Sequence, residues 1–248
     1  MRLTLTHEFK YSYDSPVRLS TQYLRLTPRD TARQRVTAWK LDTPGAALRT
    51  TDGYGNVLHV LTIDKPVSEI AIEAAGSVET SAALDESSDF TGAPLPPLVF
   101  LRPTGLTRLD PARRALADKF RAAAAAHAGL RELASAISEK YRAGSAADAV
   151  HEFIGGCRHL GVPARYVSGY VYTKNDGDNG VAMHAWAEAW ADDRWRSFDI
   201  AHDCAVGEAH IKLAVGADYL DACPVRGVRV GGGVETLVAQ AHVEAAQQ

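Results

Sequence analysis

Two side chains, His184 in AMHAWAEAW and Asp199 in RWRSFDIA, frame the chemistry this sequence could do. The acidic pair Asp192 and Asp193 between them reads as the turn of a hairpin. With those two residues at the tip, Trp186 faces Asp199 and His184 faces Ala201. His184 and Asp199 are then diagonal neighbours on one face, roughly 7–8 Å apart at their β-carbons. That spacing lets a carboxylate hold an imidazole in one tautomer, as a general base requires. An odd-numbered loop would send the two to opposite faces.

A base of this kind serves a nucleophile, and a cysteine at a helix N-terminus suits it, because the helix dipole and a nearby imidazolium both lower a thiol pKa. The segment GSAADAVHEFIGGCRHLGVPARYVSGY, residues 144–170, offers such a helix. It should run from about Ala146 to Leu160, closed by Gly161 and stopped by Pro163. Its first residue is alanine, which can neither attack nor ionise. Ser145, next to it, would need an aligned base and oxyanion hole to attack. Cys157 lies on nearly the same helix face but roughly 16 Å further along the axis, and it reads as a buried core thiol. Cys204, five residues past Asp199, reads as an unremarkable loop thiol. His151, His159 and Cys157 have no carboxylate of matching spacing, so neither a metal site nor a cofactor is expected. Trp186 and Trp190 share the face of His184 and could wall a cleft, although aromatics on one side of a strand are usually core.

The elements that must position these residues follow from periodicity. Residues 2–13 alternate, with Leu3, Leu5, His7, Phe9, Tyr11 and Tyr13 on one side, and similar runs follow at 35–42, 55–63 and 68–80. They predict an antiparallel β-domain over residues 1–85. The proline- and glycine-containing stretch 86–108 reads as a linker. From Asp110, an N-cap candidate ahead of Pro111, the alanine-rich run to about Arg142 has strong helix propensity. RYVSGYVY, AMHAWAEAW and RWRSFDIA then read as strands, and TLVAQAHVE as a closing strand. Residues 109–248 are thus expected to form a core of helices on an antiparallel sheet, and the fold class is α+β.

Composition narrows the partners. A net charge of -3 with no dense basic cluster argues against nucleic acid and against a membrane surface. No apolar run is long enough to span a bilayer, and the opening MRLTLTHEFKYSYDSP alternates where a secretory signal would be continuously apolar. Three cysteines in no framework spacing predict reduced thiols and a cytoplasmic location.

FIGGCRHLGVPARYVSGY, HAWAEAW and WRSFDIA resemble the core of the bacterial transglutaminase-like cysteine peptidase superfamily. MRLTLTHEFKYSYDSPVRLSTQYLRLTPRDT resembles the β-domain that accompanies that core, and AVGADYLDACPVRGV the segment downstream of its aspartate, so the likeness covers nearly the whole chain. The family pattern G-x-C-x-D-x-x-H falls without gaps on Gly144, Ala146, Asp148 and His151, matching all but the nucleophile. The resemblance implies a papain-type triad with His184 as base, Asp199 as its orienter and Ala146 at the nucleophile position, and with Ser145, Asp148 and Trp186 beside the substrate. It implies hydrolysis or transfer of amide or isopeptide bonds in a peptide or protein, through a thioester.

A second placement lays SAADAV on a TxAAxA-like stretch that precedes the family's cysteine, so that the thiol-bearing segment is deleted and His151 begins the surviving helix. Either way the chain lacks the nucleophile and is expected to be inactive in that chemistry. Two explanations stay open. Alanine could be an engineered replacement in an active enzyme, which the intact Asp148 and His151 favour. It could instead mark a native pseudoenzyme that binds peptides or protein partners in the inherited cleft, which the short connection before Ala146 and the SAADAV match favour. A plain binding β-module is a third class, and it would leave His184 and Asp199 dispensable.

Overall fold

The computed structural model describes residues 1–82, 95–142, 145–175 and 178–246. Strands β1 (Arg2–Leu24), β2 (Gln34–Asp42), β3 (Ala47–Thr51), β4 (Val57–Ile63) and β5 (Val67–Thr80) form an antiparallel sheet in the order β2-β5-β1-β4-β3. The alternation of β1 buries Leu3, Leu5, His7, Phe9, Tyr11 and Tyr13, the set that the sequence pattern places on one side. Along residues 2–12 the first five strands cover only one edge of β1, the edge facing β5. An open edge of that length is a liability. Two strands from the far end of the chain, β10 (Val225–Gly231) and β11 (Glu235–Ala246), pair with β1 and complete the sheet. The closing strand, expected in the core of residues 109–248, therefore belongs to the N-terminal sheet.

The alanine-rich run does not form one helix. Helix α1 (Pro111–Asp118) is capped by Asp110, whose carboxylate accepts from the Arg113 N–H at 2.8 Å. The chain then tightens into a 3-10 turn at Arg121–Ala123, and α2 (His127–Lys140) restarts without a side-chain cap. Consecutive alanines supply propensity but no apolar stripe, so packing decides where the axis turns. Leu130, Leu133 and Ile137 of α2 point into the core. Helix α3 (Ala146–His159) ends as its sequence predicts. Gly161 takes φ +83°, and the N–H groups of Gly161 and Val162 donate back to the Arg158 and Cys157 carbonyls at 3.0 and 2.8 Å. Buried Arg158 near that end donates to the carbonyls of Phe100, Ala164 and Ala217 and so fixes α3 against three segments.

The second sheet has β6 (Ala164–Asn175), β7 (Asp178–Ala191), β8 (Arg194–Phe198) and β9 (His210–Gly216) in the order β8-β7-β6-β9, with a short α4 (Tyr219–Ala222) following. On β7, Ala187, Ala189 and Ala191 present a face of small side chains, and Ala149, Val150, Phe153 and Ile154 of α3 pack in the same core. His184, Trp186 and Glu188 alternate onto the opposite face. Of the stretch read as a linker, residues 86–94 lie outside the described residues. Residues 97–101 form a 3-10 turn that buries Phe100 edge-on against Trp195, 5.4 Å between ring centres.

The two sheets share a core in which Leu3, Leu5 and Ile72 meet Tyr170, Ile211 and Leu213. The outer edge of β9 is met by side-chain amides rather than by a strand. Gln34 accepts from the Lys212 N–H and donates to its carbonyl, both at 2.8 Å, and Asn56 does the same at Val215, at 2.8 and 2.7 Å.

Between the sheets, His7 Nδ1 lies 3.0 Å from the Tyr170 hydroxyl, and burial pushes the imidazole pKa down to about 4. Folded His7 takes up its proton less readily than unfolded His7. Its contribution is intact above about pH 6.5 and is lost as pH falls from there to about 4, on the order of 3 kcal/mol. His7→Gln, which keeps a partner for Tyr170, should flatten this part of the stability curve in urea melts at pH 7 and pH 4.5. An unchanged slope would contradict the assignment.

Candidate active site

The β7–β8 hairpin turns on Asp192 and Asp193, at φ 51° and 59°, the two positive angles of a type I′ turn. Ala191 pairs with Arg194 and Ala187 with Phe198, which is the register that a two-residue acidic loop dictates. Beyond Phe198 the chain leaves the ladder. Asp199 exchanges two 3.2 Å backbone hydrogen bonds with Cys204, closing a tight loop over residues 200–203. In this position the buried Asp199 carboxylate receives His184, with Nε2 at 2.9 Å from Oδ2. His184 Nδ1 is left as the nitrogen available to a reacting group.

Two further histidines reach the same oxygen, His202 Nδ1 at 2.8 Å and His210 Nε2 at 3.0 Å. His210 Nδ1 accepts from the Gly207 N–H at 3.2 Å, so its proton sits on Nε2 and is donated to Asp199. Burial alone would raise the Asp199 pKa. The hydrogen bonds from His184, His210 and His202 outweigh it and hold the carboxyl well below the usual carboxylate range. Trp186, only 1% exposed, packs with Val167, Val206 and Val215, its ring stacked toward His184 and edge-on to His210. Gly169 pairs with His184 across the ladder, and a β-carbon there would meet the Ile211 carbonyl at 2.1 Å and the Trp186 ring at 2.5 Å. Glycine is what lets the indole lie flat behind the histidines.

Where β7 passes the first turn of α3 there is a cavity of about 320 Å³. Ala147 of α3 and His184 both line it, with Tyr166 and Ser168 of β6 beside them, and Phe9 and Tyr11 of β1 supply an apolar wall. The cavity therefore lies at the seam of the two sheets, a usual place for a ligand.

The remaining residues singled out in the sequence separate into distinct settings. Ala146 opens α3. Ser145 is its N-cap and accepts from the Asp148 N–H at 3.3 Å, and the Ser145 and Asp148 side chains are exposed. Trp186 is in the core behind the base and does not line the cavity. Trp190 packs edge-on against Trp195. His151 stacks on Tyr166 and accepts from the Tyr219 N–H at 3.2 Å, tying α3 to α4. His159 lies against Asp118, and Cys157 is fully buried, so these three do not converge. Burial pushes the Cys157 thiol up, and burial followed by the Asp199 charge does the same to Cys204. Cys223 lines the cavity, but its thiol donates to the Val225 carbonyl at 3.1 Å.

Sequence reasoning missed His202, His210 and Cys204 as neighbours of Asp199. The spacing D-x-x-H at Asp199–His202 was a usable signal, because a loop tight enough to return the chain to Asp199 brings the histidine back with it. His210 had no local signal, since its approach depends on β9 pairing with β6.

Helices on an antiparallel sheet, with a histidine–aspartate pair beside a helix start, define the class of protein, and comparisons with known proteins agree. Residues 3–79 match the bacterial transglutaminase-like N-terminal region and residues 108–200 the transglutaminase-like superfamily. An uncharacterized protein of Mycobacterium leprae is 29% identical over 95% of this chain and 96% of its own length. An uncharacterized protein of Mycobacterium tuberculosis strain H37Rv is 30% identical over 92% of this chain and 87% of its own. The chain belongs to the transglutaminase-like superfamily. Its fold also matches, with TM-score 0.69 and 17% identity, the crystal structure of a Cytophaga hutchinsonii protein assigned as a cysteine protease, over 100% of this chain and 91% of that one. Among the described residues no helix is long and apolar enough to cross a membrane.

Proposed function

We propose that this protein binds a peptide-type amide ligand in the transglutaminase-like cleft without turning it over. The observation that carries this reading is the start of α3. The helix opens at Ala146 and presents Ala147 to the cavity, beside a complete His184–Asp199 pair. In thiol-dependent acyl transfer a thiolate at that position would attack the carbonyl, His184 would protonate the leaving amine, and Asp199 would steady the imidazolium. An alanine methyl forms no thioester, and the thiols of Cys157 and Cys204 are pushed up rather than activated. The cavity itself remains suited to binding. The aromatic wall of Phe9 and Tyr11 favours an apolar neighbour of the amide, and His184 supplies a polar contact in the same cavity.

Calorimetric titration with a mixture of glutamine-containing peptides should give saturable binding, with no ammonia or amine released. Ala147→Phe, which fills the cavity from its rim, should weaken binding at least about tenfold, the equivalent of roughly 1.4 kcal/mol. Ammonia or amine release by the unaltered chain would overturn the proposal.

A further inference from the structure

Three imidazole nitrogens lie within 3.0 Å of one Asp199 oxygen, one more than it has lone pairs. Oδ2 has two lone pairs. His210 occupies one of them with a proton whose position is fixed by the Gly207 N–H. His184 Nε2 at 2.9 Å and His202 Nδ1 at 2.8 Å then compete for the other, while among the described residues Oδ1 receives the His202 backbone N–H alone, at 3.2 Å. Two imidazole nitrogens directed at one remaining acceptor site are better satisfied by a cation between them, which both can meet with lone pairs.

The geometry is close to what such an ion needs. The ligand atoms of His184, Asp199 and His202 all lie within 4.8 Å of one another. In a tetrahedral zinc site with bonds of about 2.0–2.2 Å, ligand atoms are about 3.3–3.6 Å apart, so the 2.9 and 2.8 Å separations of Asp199 Oδ2 from His184 and His202 have to lengthen by about half an ångström to admit the metal. The side chain of His202 is 47% exposed and provides a route in from solvent, whereas Asp199 is buried and His184 nearly so. His210 stands behind the carboxylate as an orienting donor, the arrangement that fixes metal-bound carboxylates in general. We propose that His184, Asp199 and His202 form a binding site for a divalent transition-metal ion of the zinc type, with the remaining position open to water. The site does not depend on the peptide-binding reading. A bound ion would engage the Nε2 of His184 and join the histidine to the loop after β8.

The test is titration of the full chain, stripped with EDTA and dialysed, with zinc chloride by calorimetry and with cobalt chloride by visible absorption. One saturating site and a cobalt d–d spectrum of low coordination number are expected. His210→Phe should weaken binding roughly 10–100-fold, and His202→Ala, which removes a ligand at the exposed rim, by more than that. His242→Ala, on an exposed position of β11, should leave it unchanged. Because His202 is largely exposed, its alanine variant should keep the melting profile of the parent, so weakened binding there is read directly. Absence of saturable binding, or a loss in His242→Ala equal to that in His202→Ala, would overturn the site. Peptide titrations in EDTA report on the amide-binding proposal separately.

Discussion

Ala146→Cys is expected to install a thiol that iodoacetamide labels far below the pH at which an ordinary cysteine reacts. The position opens α3, where backbone N–H groups and the helix dipole favour a thiolate. Its neighbour Ala147 lines the same cavity as His184. Thiols in such settings have pKa values of about 3.5–7.5, against about 8.5 for a free one. Labelling of residue 146 should therefore persist to about pH 6 and should depend on His184, so that His184→Ala in the same background moves the profile back toward the ordinary range. Turnover should appear with it, as release of ammonia or amine from glutamine-containing peptides. These measurements belong in EDTA, so that His184 is free. Labelling like a free thiol with no turnover would mean that the cleft has lost more than its sulfur.

The second large effect is structural. Glu188 is fully buried on β7, one side-chain layer beyond Trp186, and it receives Arg165 Nε at 2.6 Å and the Lys212 ammonium. Burial alone would raise its pKa, but the positive charges of Arg165 and Lys212 outweigh burial and keep the carboxyl ionised, below its usual range. Arg165 is itself 1% exposed and lies over the Trp195 ring, 4.1 Å from its centre. Glu188→Gln preserves shape while removing the charge that these buried cations face. Breaking a buried pair in this way costs about 3–5 kcal/mol, which for a chain of this size lowers the melting temperature on the order of 10 °C. The Arg35–Glu79 pair at the surface is the control, since solvent screens it and Glu79→Gln should leave the melting profile nearly unchanged. Equal effects of the two substitutions in thermal melts would show that the Glu188 cluster does not anchor β7.

The geometry of the base was legible because it is local. Asp192 and Asp193 fix the turn and the turn fixes the register as far as Phe198, so that Asp199 leaves the hairpin one residue beyond the ladder, where its pairing with Cys204 holds it against His184. The same holds for the end of α3, which Gly161 and Pro163 announce. What the sequence did not disclose depends on contacts between distant segments. β10 and β11 complete the first sheet only because β1 is long enough to need partners on both edges. His210 joins Asp199 only through the pairing of β9 with β6, and Gln34 and Asn56 serve β9 from 178 and 159 residues away along the chain. Trp186 shows the limit of periodicity. It shares a face with His184, but the cross-strand Gly169 makes that face a packed layer behind the base instead of a cleft wall.

The central claim is that the cleft keeps its His184–Asp199 pair while Ala146 stands where the nucleophile would. Intact-mass measurement after incubation with a glutamine-mimicking peptide chloromethyl ketone tests it most directly, on the unaltered chain and on Ala146→Cys in parallel. The unaltered chain should remain at its own mass, and the variant should gain one adduct that maps to residue 146. An adduct on the unaltered chain at Ser145, Cys204 or Cys223 that disappears in His184→Ala would reveal a relocated nucleophile and contradict the claim.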